Sequence, residues 1–209
     1  SKWITGEKAR NHGMKLRQGS DAILVGVNTV LKDDPALTVR GNNQRPKLRR
    51  IVLDSMARTP LTAKVVSDEQ ASLTTIVVGH RAPRTRVNAL AKQVNVLIAP
   101  APRSPKAEAR RPKLDLRWLL KKLGSENVTR LLVEGGGEVN ASFLLGGLTH
   151  RVAFFYAPTI LGGRDSRRAV AGDGAASLAG MLHLTQVEWR RLGPDLLLTA
   201  RVSPVTTSR

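Results

Sequence analysis

The sequence predicts an α/β fold: a mixed sheet, mainly parallel, that ends in an antiparallel C-terminal hairpin and carries helices on both faces. Three observations lead there. Short β-branched runs recur at AILVG (22–26), RIVLD (50–54), TTIVVG (74–79), VNVLI (94–98) and TRLLVEGG (129–136). Continuous apolar runs of this kind are strands buried on both faces, the pattern that βαβ crossovers produce. Helical patterns lie between them. At the end of the chain, Arg151 to Tyr156, Leu184 to Leu192 and Leu196 to Val202 read as strands, the last two separated only by Gly193, Pro194 and Asp195, a hairpin spacing.

In chain order, Thr5 caps a helix that runs to about Gln18, with Glu7 in its first turn. After AILVG, Thr29 to Lys32 reads as a short helix, Asp33, Asp34 and Pro35 as a turn, and Leu37 to Arg40 as a strand. Leu114 to Leu123 forms a helix ended by Gly124, and Glu138 to Leu145 forms another, ended by Gly146 and Gly147. No repeat or linker divides the chain, so residues 1–203 are expected to form one domain and residues 204–209 a frayed tail.

The 209 residues are 41% hydrophobic and 24% charged, an ordinary globular balance that argues against disorder. No cysteine is present, which excludes disulfides, thiolate zinc sites and a cysteine nucleophile. No apolar run approaches the ~18 residues of a membrane span, and SKWITGEKAR has no signal-peptide core. A soluble, cytoplasmic protein is expected. Its start at Ser1 rather than Met suggests part of a longer chain.

The net charge is +18, from 34 basic and 16 acidic side chains. Such an excess raises nucleic acid as a partner. Most of it, however, falls in residues 40–50 and 81–122, much of that loop-like and rich in proline. The chain has only seven aromatic residues to offer for base stacking. A solvated basic surface is the simpler reading.

The most chemical stretch is LLVEGGGEVNASFL (131–144). A strand enters Gly135 to Gly137 and a helix leaves, so backbone N–H groups and the positive end of a helix dipole converge where a phosphate fits. A tight turn alone would also use these glycines. Asn140 stands where the Rossmann fingerprint needs glycine, which disfavours an ordinary dinucleotide fold. Glu134 places a carboxylate where a parallel strand ends, the usual ligand position in open α/β sheets. In TVLKDDPALTVR (29–40), the paired acids before proline read either as a turn or as a loop binding ribose or nicotinamide through Thr29 and Asp33, with Arg40 on an anion. Ser55, after RIVLD, either donates to a phosphate or starts a turn. The four histidines are too scattered for a zinc set, and no G-x-S-x-G elbow is present.

As an ordered set, SKWITGEKAR, LRQGSDAILVG, TVLKDDPALTVR, IVLDS followed by RTP, LVEGGG and APTILGG resemble the reductase domain of the bacterial bifunctional riboflavin-biosynthesis deaminase/reductase. The match spans residues 1 to about 163. The resemblance implies a dihydrofolate-reductase-like fold, a homodimer, and NADPH-dependent reduction of 5-amino-6-(5-phosphoribosylamino)uracil to its ribitylamino product. It assigns cofactor contacts to Trp3, Thr29, Asp33, Ser55, Gly136, Gly137, Glu138, Val139, Asn140, Ala141 and Ser142. Substrate contacts fall to Ser1, Arg17, Leu37, Arg40 and Glu134. Guanidinium forks at Arg17 and Arg40 suit the ribose 5-phosphate, and Glu134 suits the donor-rich aminouracil or the ribose hydroxyls. No catalytic acid is assigned; Glu134 is the candidate to influence the proton step. From position and charge, Arg81, Arg84 and Arg86 are candidates to read the cofactor's 2′-phosphate.

The family carries a further strand and loop ahead of the segment matching SKWITG, so an upstream strand is expected before Ser1. Without cysteine the zinc-deaminase signature cannot be present, which places a deaminase domain upstream or on a separate chain. Two other readings stay open: a related reductase acting on a pterin or another heterocycle, and a basic nucleic-acid-binding protein that kept the fold.

Overall fold

All five apolar runs of the first part of the chain form strands. The computed structural model describes residues 4–39, 48–101, 114–163, 166, 168–172, 174–175, 177 and 180–203. In order, the elements are α1 (Glu7–Gln18), β1 (Ala22–Gly26), α2 (Val27–Asp33), β2 (Arg49–Leu53), α3 (Lys64–Ser67), a 3-10 turn (Ala71–Leu73), β3 (Thr74–Val78), α4 (Arg84–Ala91) and β4 (Asn95–Ile98). There follow α5 (Leu116–Ser125), β5 (Leu131–Val133), α6 (Gly137–Leu145), β6 (Arg151–Tyr156), β7 (Leu184–Leu192) and β8 (Asp195–Val202). They form two compact units, one of Arg17–Gly136 and one of Ser1–Leu16 with Gly137–Arg209. The divisions fall inside α1 and inside the glycine turn, where no linker composition marks them.

The Arg17–Gly136 unit is built on a parallel sheet of order β4-β3-β2-β1-β5. β1 and β3 are buried almost throughout because both sheet faces are covered. Ile23, Val25, Val52, Ile76 and Val78 pack with Val30 of α2, Val65 and Val66 of α3 and Leu90 of α4 in one core cluster. Leu24, Ile51 and Val77 alternate to the opposite face. The α5 helix, which buries Leu119 and Leu123, is capped by the Asp115 carboxylate accepting from the Trp118 N–H at 2.9 Å.

At the amino ends of β1 and β5, one Asp21 oxygen accepts from Thr129 N–H, Thr129 Oγ1 and Arg130 N–H, each at 2.8 Å. These donors hold the Asp21 carboxyl below its ordinary range. One strand expected from sequence does not form. Leu37 to Val39 is irregular because Leu37 takes a left-handed φ of 53°. Arg50 and Arg17 occupy the Ala36 and Thr38 carbonyls that a ladder would use.

The other unit holds α6 and an antiparallel sheet of order β6-β8-β7. The terminal strands, expected to close one mixed sheet, hydrogen-bond among the described residues as a sheet of their own. In it β8 is central and pairs on both sides, with β6 and with β7. The first helix is also capped differently than expected. Gly6, not Thr5, directly precedes α1, and its N–H donates at 2.7 Å to Asp195, a carboxylate buried at the start of β8. The GPD hairpin thereby supplies the negative group at a helix N-terminus from 189 residues away.

Candidate active site at the carboxyl ends of the parallel sheet

From β1 the chain steps through β2 and β3 to β4 in one direction, and β5 returns to the other side of β1. The carboxyl ends of β1 and β5 therefore flank the point where strand order reverses, the place where open α/β sheets bind ligands. Glu134 stands there, its N–H on Leu24 O at 2.9 Å. Its carboxylate accepts from one edge of the Arg17 guanidinium, Nε at 2.9 Å and Nη2 at 2.6 Å. Arg17 Nη1 donates at 3.2 Å to Thr38 O, one residue beyond the buried, left-handed Leu37. Arg17, Leu37 and Glu134, expected from sequence to contact substrate and scattered along the chain, are thus brought together. The bidentate pair fixes the Glu134 carboxylate while leaving each oxygen further lone-pair capacity for a substrate donor. Both partners keep some exposure, so the pair contributes about 1 kcal/mol or less to stability. Its value is orientation.

The next part of the site follows β1 and β2. Thr29 lies half-buried in α2, and Asp33 ends that helix, exposed. The adjoining Asp34 is left-handed, at φ 38°, with Oδ1 accepting Lys64 N–H at 2.9 Å. Ser55 is half-buried beyond β2, and its carbonyl accepts Gly79 N–H at 3.0 Å. Gly136 is exposed, and a Cβ added there would meet nothing within 4 Å. The carboxyl end of β5 therefore opens onto free space, as close approach of a phosphate requires. Ser1, Trp3 and Arg40 lie outside the described residues.

In the other unit, α6 begins at Gly137, where a Cβ would fall 2.5 Å from Arg168 O and 2.8 Å from Ala171 Cβ. Glycine is required there by packing. The Asn140 side chain donates to Ala169 O at 2.8 Å, and Ser142 Oγ donates to Glu138 O at 2.8 Å. Val139 is half-buried and Ala141 buried. A cavity of about 300 Å³ in this unit, lined by His12, Glu188, Trp189, Arg190, Leu197 and Thr199, contains none of the residues expected from sequence. It has no sheet carboxyl end and no glycine turn.

Sequence reasoning missed the residues that hold these loops. Arg50 is fully buried and donates to both Asp68 oxygens at 2.6 and 2.7 Å and to Ala36 O at 2.9 Å. The guanidinium holds the Asp68 carboxyl below its ordinary range. Arg49 does the same to Glu126 at 2.7 Å. Two cations of the basic stretch 40–50, read as surface, are therefore engaged in ion pairs of the fold. Arg86, a candidate from sequence to read the cofactor's 2′-phosphate, donates to Ala57 O at 3.0 Å and Thr59 O at 3.1 Å. In the sequence they are simply basic residues. Among the described residues no cluster suits a metal ion, and no helix is long and apolar enough to cross a membrane.

A parallel sheet with a carboxylate-guanidinium pair at its switch point and an open glycine turn is an α/β arrangement of the kind whose strand ends receive small polar ligands. The chain belongs to the RibD C-terminal domain family, whose model matches residues 1–198. It is 40% identical over 197 residues to the 2,5-diamino-6-ribosylamino-4(3H)-pyrimidinone 5′-phosphate reductase of Methanothermobacter thermautotrophicus, covering 93% of this chain and 86% of that protein. It is 35% identical over 198 residues to riboflavin biosynthesis protein RibD of Actinobacillus pleuropneumoniae, covering 95% of this chain but 50% of that protein. The solved structure of Acinetobacter baumannii RibD matches with a TM-score of 0.75 at 25% identity, over 97% of this chain and 52% of that one. The chain thus spans about half the length of these RibD proteins. Its relatives are named as the reductase of riboflavin biosynthesis, which makes it an oxidoreductase of that class. A reductase of this family implies a nicotinamide cofactor.

Proposed function

We propose that the chain uses NADPH to reduce the ribosyl group of a phosphoribosylamino-pyrimidine to the ribitylamino product in riboflavin biosynthesis. The observation that carries this reading is the bidentate Arg17–Glu134 pair at the β1/β5 switch point, beside a glycine turn open to solvent. The residues fit a dinucleotide: hydroxyls at Thr29 and Ser55, the open backbone at Gly136, and the α6 residues Gly137 to Ser142 that follow it in the chain. Bound NADPH supplies a hydride to C1′ of the opened ribose. Trp3 and Asp33 complete the proposed cofactor contacts. Ser1, Leu37 and Glu134 hold the substrate, and Arg40 takes its phosphate together with Arg17.

The protein's own work is orientation and exclusion of water. Glu134, aligned by Arg17, accepts from pyrimidine N–H or ribose O–H groups, and it biases where the proton that accompanies reduction resides. The Leu37 side chain is packed in the core, so its proposed contact with substrate is through its backbone, which the Arg50 and Arg17 hydrogen bonds to the flanking carbonyls fix. The whole of residues 1–203 is proposed to act as the reductase domain, in a cytoplasmic homodimer, with the deaminase step on an upstream domain or a separate chain.

Two pyrimidines fit the proposal. The aminouracil is the substrate the RibD resemblance implies. The diaminopyrimidinone is favoured by one observation: the archaeal reductase named for it is matched over 86% of its length. NADPH oxidation followed at 340 nm with each compound decides between them. Turnover of the aminouracil with higher kcat/KM supports the first reading, and the opposite ratio the second. Oxidation with neither sinks both.

A further inference from the structure

The segment that follows α2 is fastened at alternate residues. Asp34 Oδ1 accepts from the Lys64 N–H at 2.9 Å, and Lys64 Nζ stands 3.6 Å from Oδ2. Ala36 O accepts from Arg50 Nη1 at 2.9 Å, and Thr38 O accepts from Arg17 Nη1 at 3.2 Å. Between these points Pro35 has no N–H to offer, and Leu37 buries its side chain in the core cluster at a left-handed φ of 53°. A bulky residue keeps such a backbone only where its surroundings hold it. The fastenings at Asp34 and Ala36 lead to α3. Asp34 meets its first residue, while Arg50 also reaches Val65 O at 3.3 Å and both oxygens of Asp68, just past its end. The fastening at Thr38 leads through Arg17 to Glu134.

Arg50 is costly for stability alone. Its side chain is fully buried on the face of β2 that it shares with Val52 and the core cluster. Nη1 donates to Ala36 O and Asp68 Oδ2, and Nη2 to Val65 O and Asp68 Oδ1, yet Nε is buried without a partner among the described residues. A buried ion pair gains little over apolar residues of the same volume, and an unpaired buried donor adds a penalty. What the planar guanidinium supplies is geometry, because its donors fix Ala36 O relative to α3 more narrowly than an apolar contact could. Arg49 is the natural comparison. It pairs with Glu126, just past α5, at 2.7 Å, and as the adjacent strand residue it points to the other face of the sheet.

We propose that Arg50 and Asp34 are positioning residues for the substrate: by fastening residues 34–38 to α3, they set where the Leu37 backbone and the Arg17–Glu134 pair meet the phosphorylated pyrimidine. This rests on the functional reading above and gives it a determinant of substrate affinity that touches neither substrate nor cofactor. Displacement of the segment shifts Thr38 O, and with it the guanidinium that aligns Glu134. The nicotinamide cofactor, held by other residues, is little affected.

The test compares wild type with Arg50→Lys, Asp34→Gly, Asp34→Asn and, as a control, Arg49→Lys, in steady-state assays with NADPH and the phosphorylated pyrimidines. A lysine cannot serve Ala36, Val65 and Asp68 together. Glycine at 34 tolerates the left-handed φ of 38° but removes the acceptor, whereas asparagine keeps both. Arg50→Lys and Asp34→Gly are expected to raise the pyrimidine KM about tenfold, with the NADPH KM within about twofold of wild type. Asp34→Asn and Arg49→Lys are expected to leave both within about twofold. A fall in kcat with both KM values unchanged, equal rises in the two KM values, or Asp34→Asn as impaired as Asp34→Gly overturns the positioning role. If thermal melting shows Arg50→Lys to be unfolded, the two Asp34 variants decide the outcome. Wild type that oxidises NADPH with no phosphorylated pyrimidine refutes the functional reading itself, whatever the variants do.

Discussion

The two units treat polar and apolar groups in opposite ways. In the parallel unit, charged side chains are turned to internal use: Arg50 is 0% exposed and joins β2 to Asp68 and to Ala36, and Arg17 and Glu134 orient each other. In the antiparallel unit, β7 is exposed from Thr185 to Arg191, and its Trp189 is 60% exposed in a ring contact with Tyr156 at 5.9 Å. Parallel strands need cover on both faces, so loops at their ends are drawn into fixed positions. An antiparallel hairpin can leave one face and one edge uncovered. Fixed polar geometry is found in the first arrangement, and open surface in the second.

The sharpest way to break this comparison is to remove the same charge in both units. Glu134→Gln is expected to lower turnover about a hundredfold, far more than it lowers NADPH affinity, because it removes an aligned carboxylate. Glu188→Gln on β7 is expected to stay within about twofold. Steady-state kinetics of both decide it, and equal losses would erase the contrast.

Stability gives the next largest effect. Arg50→Met leaves Asp68 without its partner and opens the Ala36 contact, for an expected loss of about 3 kcal/mol in denaturant unfolding. Arg190→Met, on the exposed strand, should cost under about 0.5 kcal/mol. Glycines sharpen the picture within the antiparallel unit. Gly137→Ala forces a Cβ against Arg168 O and Ala171, an overpacking cost of about 2 kcal/mol. Gly13→Ala, inside α1 with nothing within 4 Å of the new Cβ, should instead raise stability by about 0.5–1 kcal/mol.

The smallest effect is in pH. Asp21, Asp68 and Glu126, all in the parallel unit, are held below their ordinary values, chiefly by hydrogen bonds from Arg130 N–H, Arg50 and Arg49. Their stabilisation is complete above the unfolded values of 3.8 and 4.5 and is lost as pH falls through the lowered folded values. His12, in the antiparallel unit, is also lowered, first by burial and then by Arg190 and Lys15. Burial there favours the neutral ring, so its contribution is complete above 6.5 and declines as pH falls below that value. Probes placed in each unit should therefore show weakening of the His12 region at mildly acidic pH before the parallel unit responds. A single transition starting only near pH 4 would count against the His12 assignment.

Much of this was legible beforehand. The five strands of the parallel sheet, the helix after the glycine turn and the GPD hairpin follow from runs and punctuation, which are local signals. Glu134 was legible as a strand-end carboxylate, and the ordered motifs pointed to the family. What stayed hidden were relations between distant residues. Asp195 caps α1 from the far end of the chain. Leu37 leaves its expected strand because Arg17 and Arg50 take the neighbouring carbonyls. Arg86, singled out in sequence only as a candidate to read the cofactor's 2′-phosphate, clamps a loop through the Ala57 and Thr59 carbonyls.

By itself, the sequence determined the fold class, the family and the residue types at the site, because periodicity, glycine placement and motif order are encoded locally. Only the tertiary structure decided which cations are engaged by the fold. An arginine's role depends on the oxygen atoms within about 3 Å of its guanidinium, and those oxygens come from residues 18 positions away for Arg50 and 117 for Arg17.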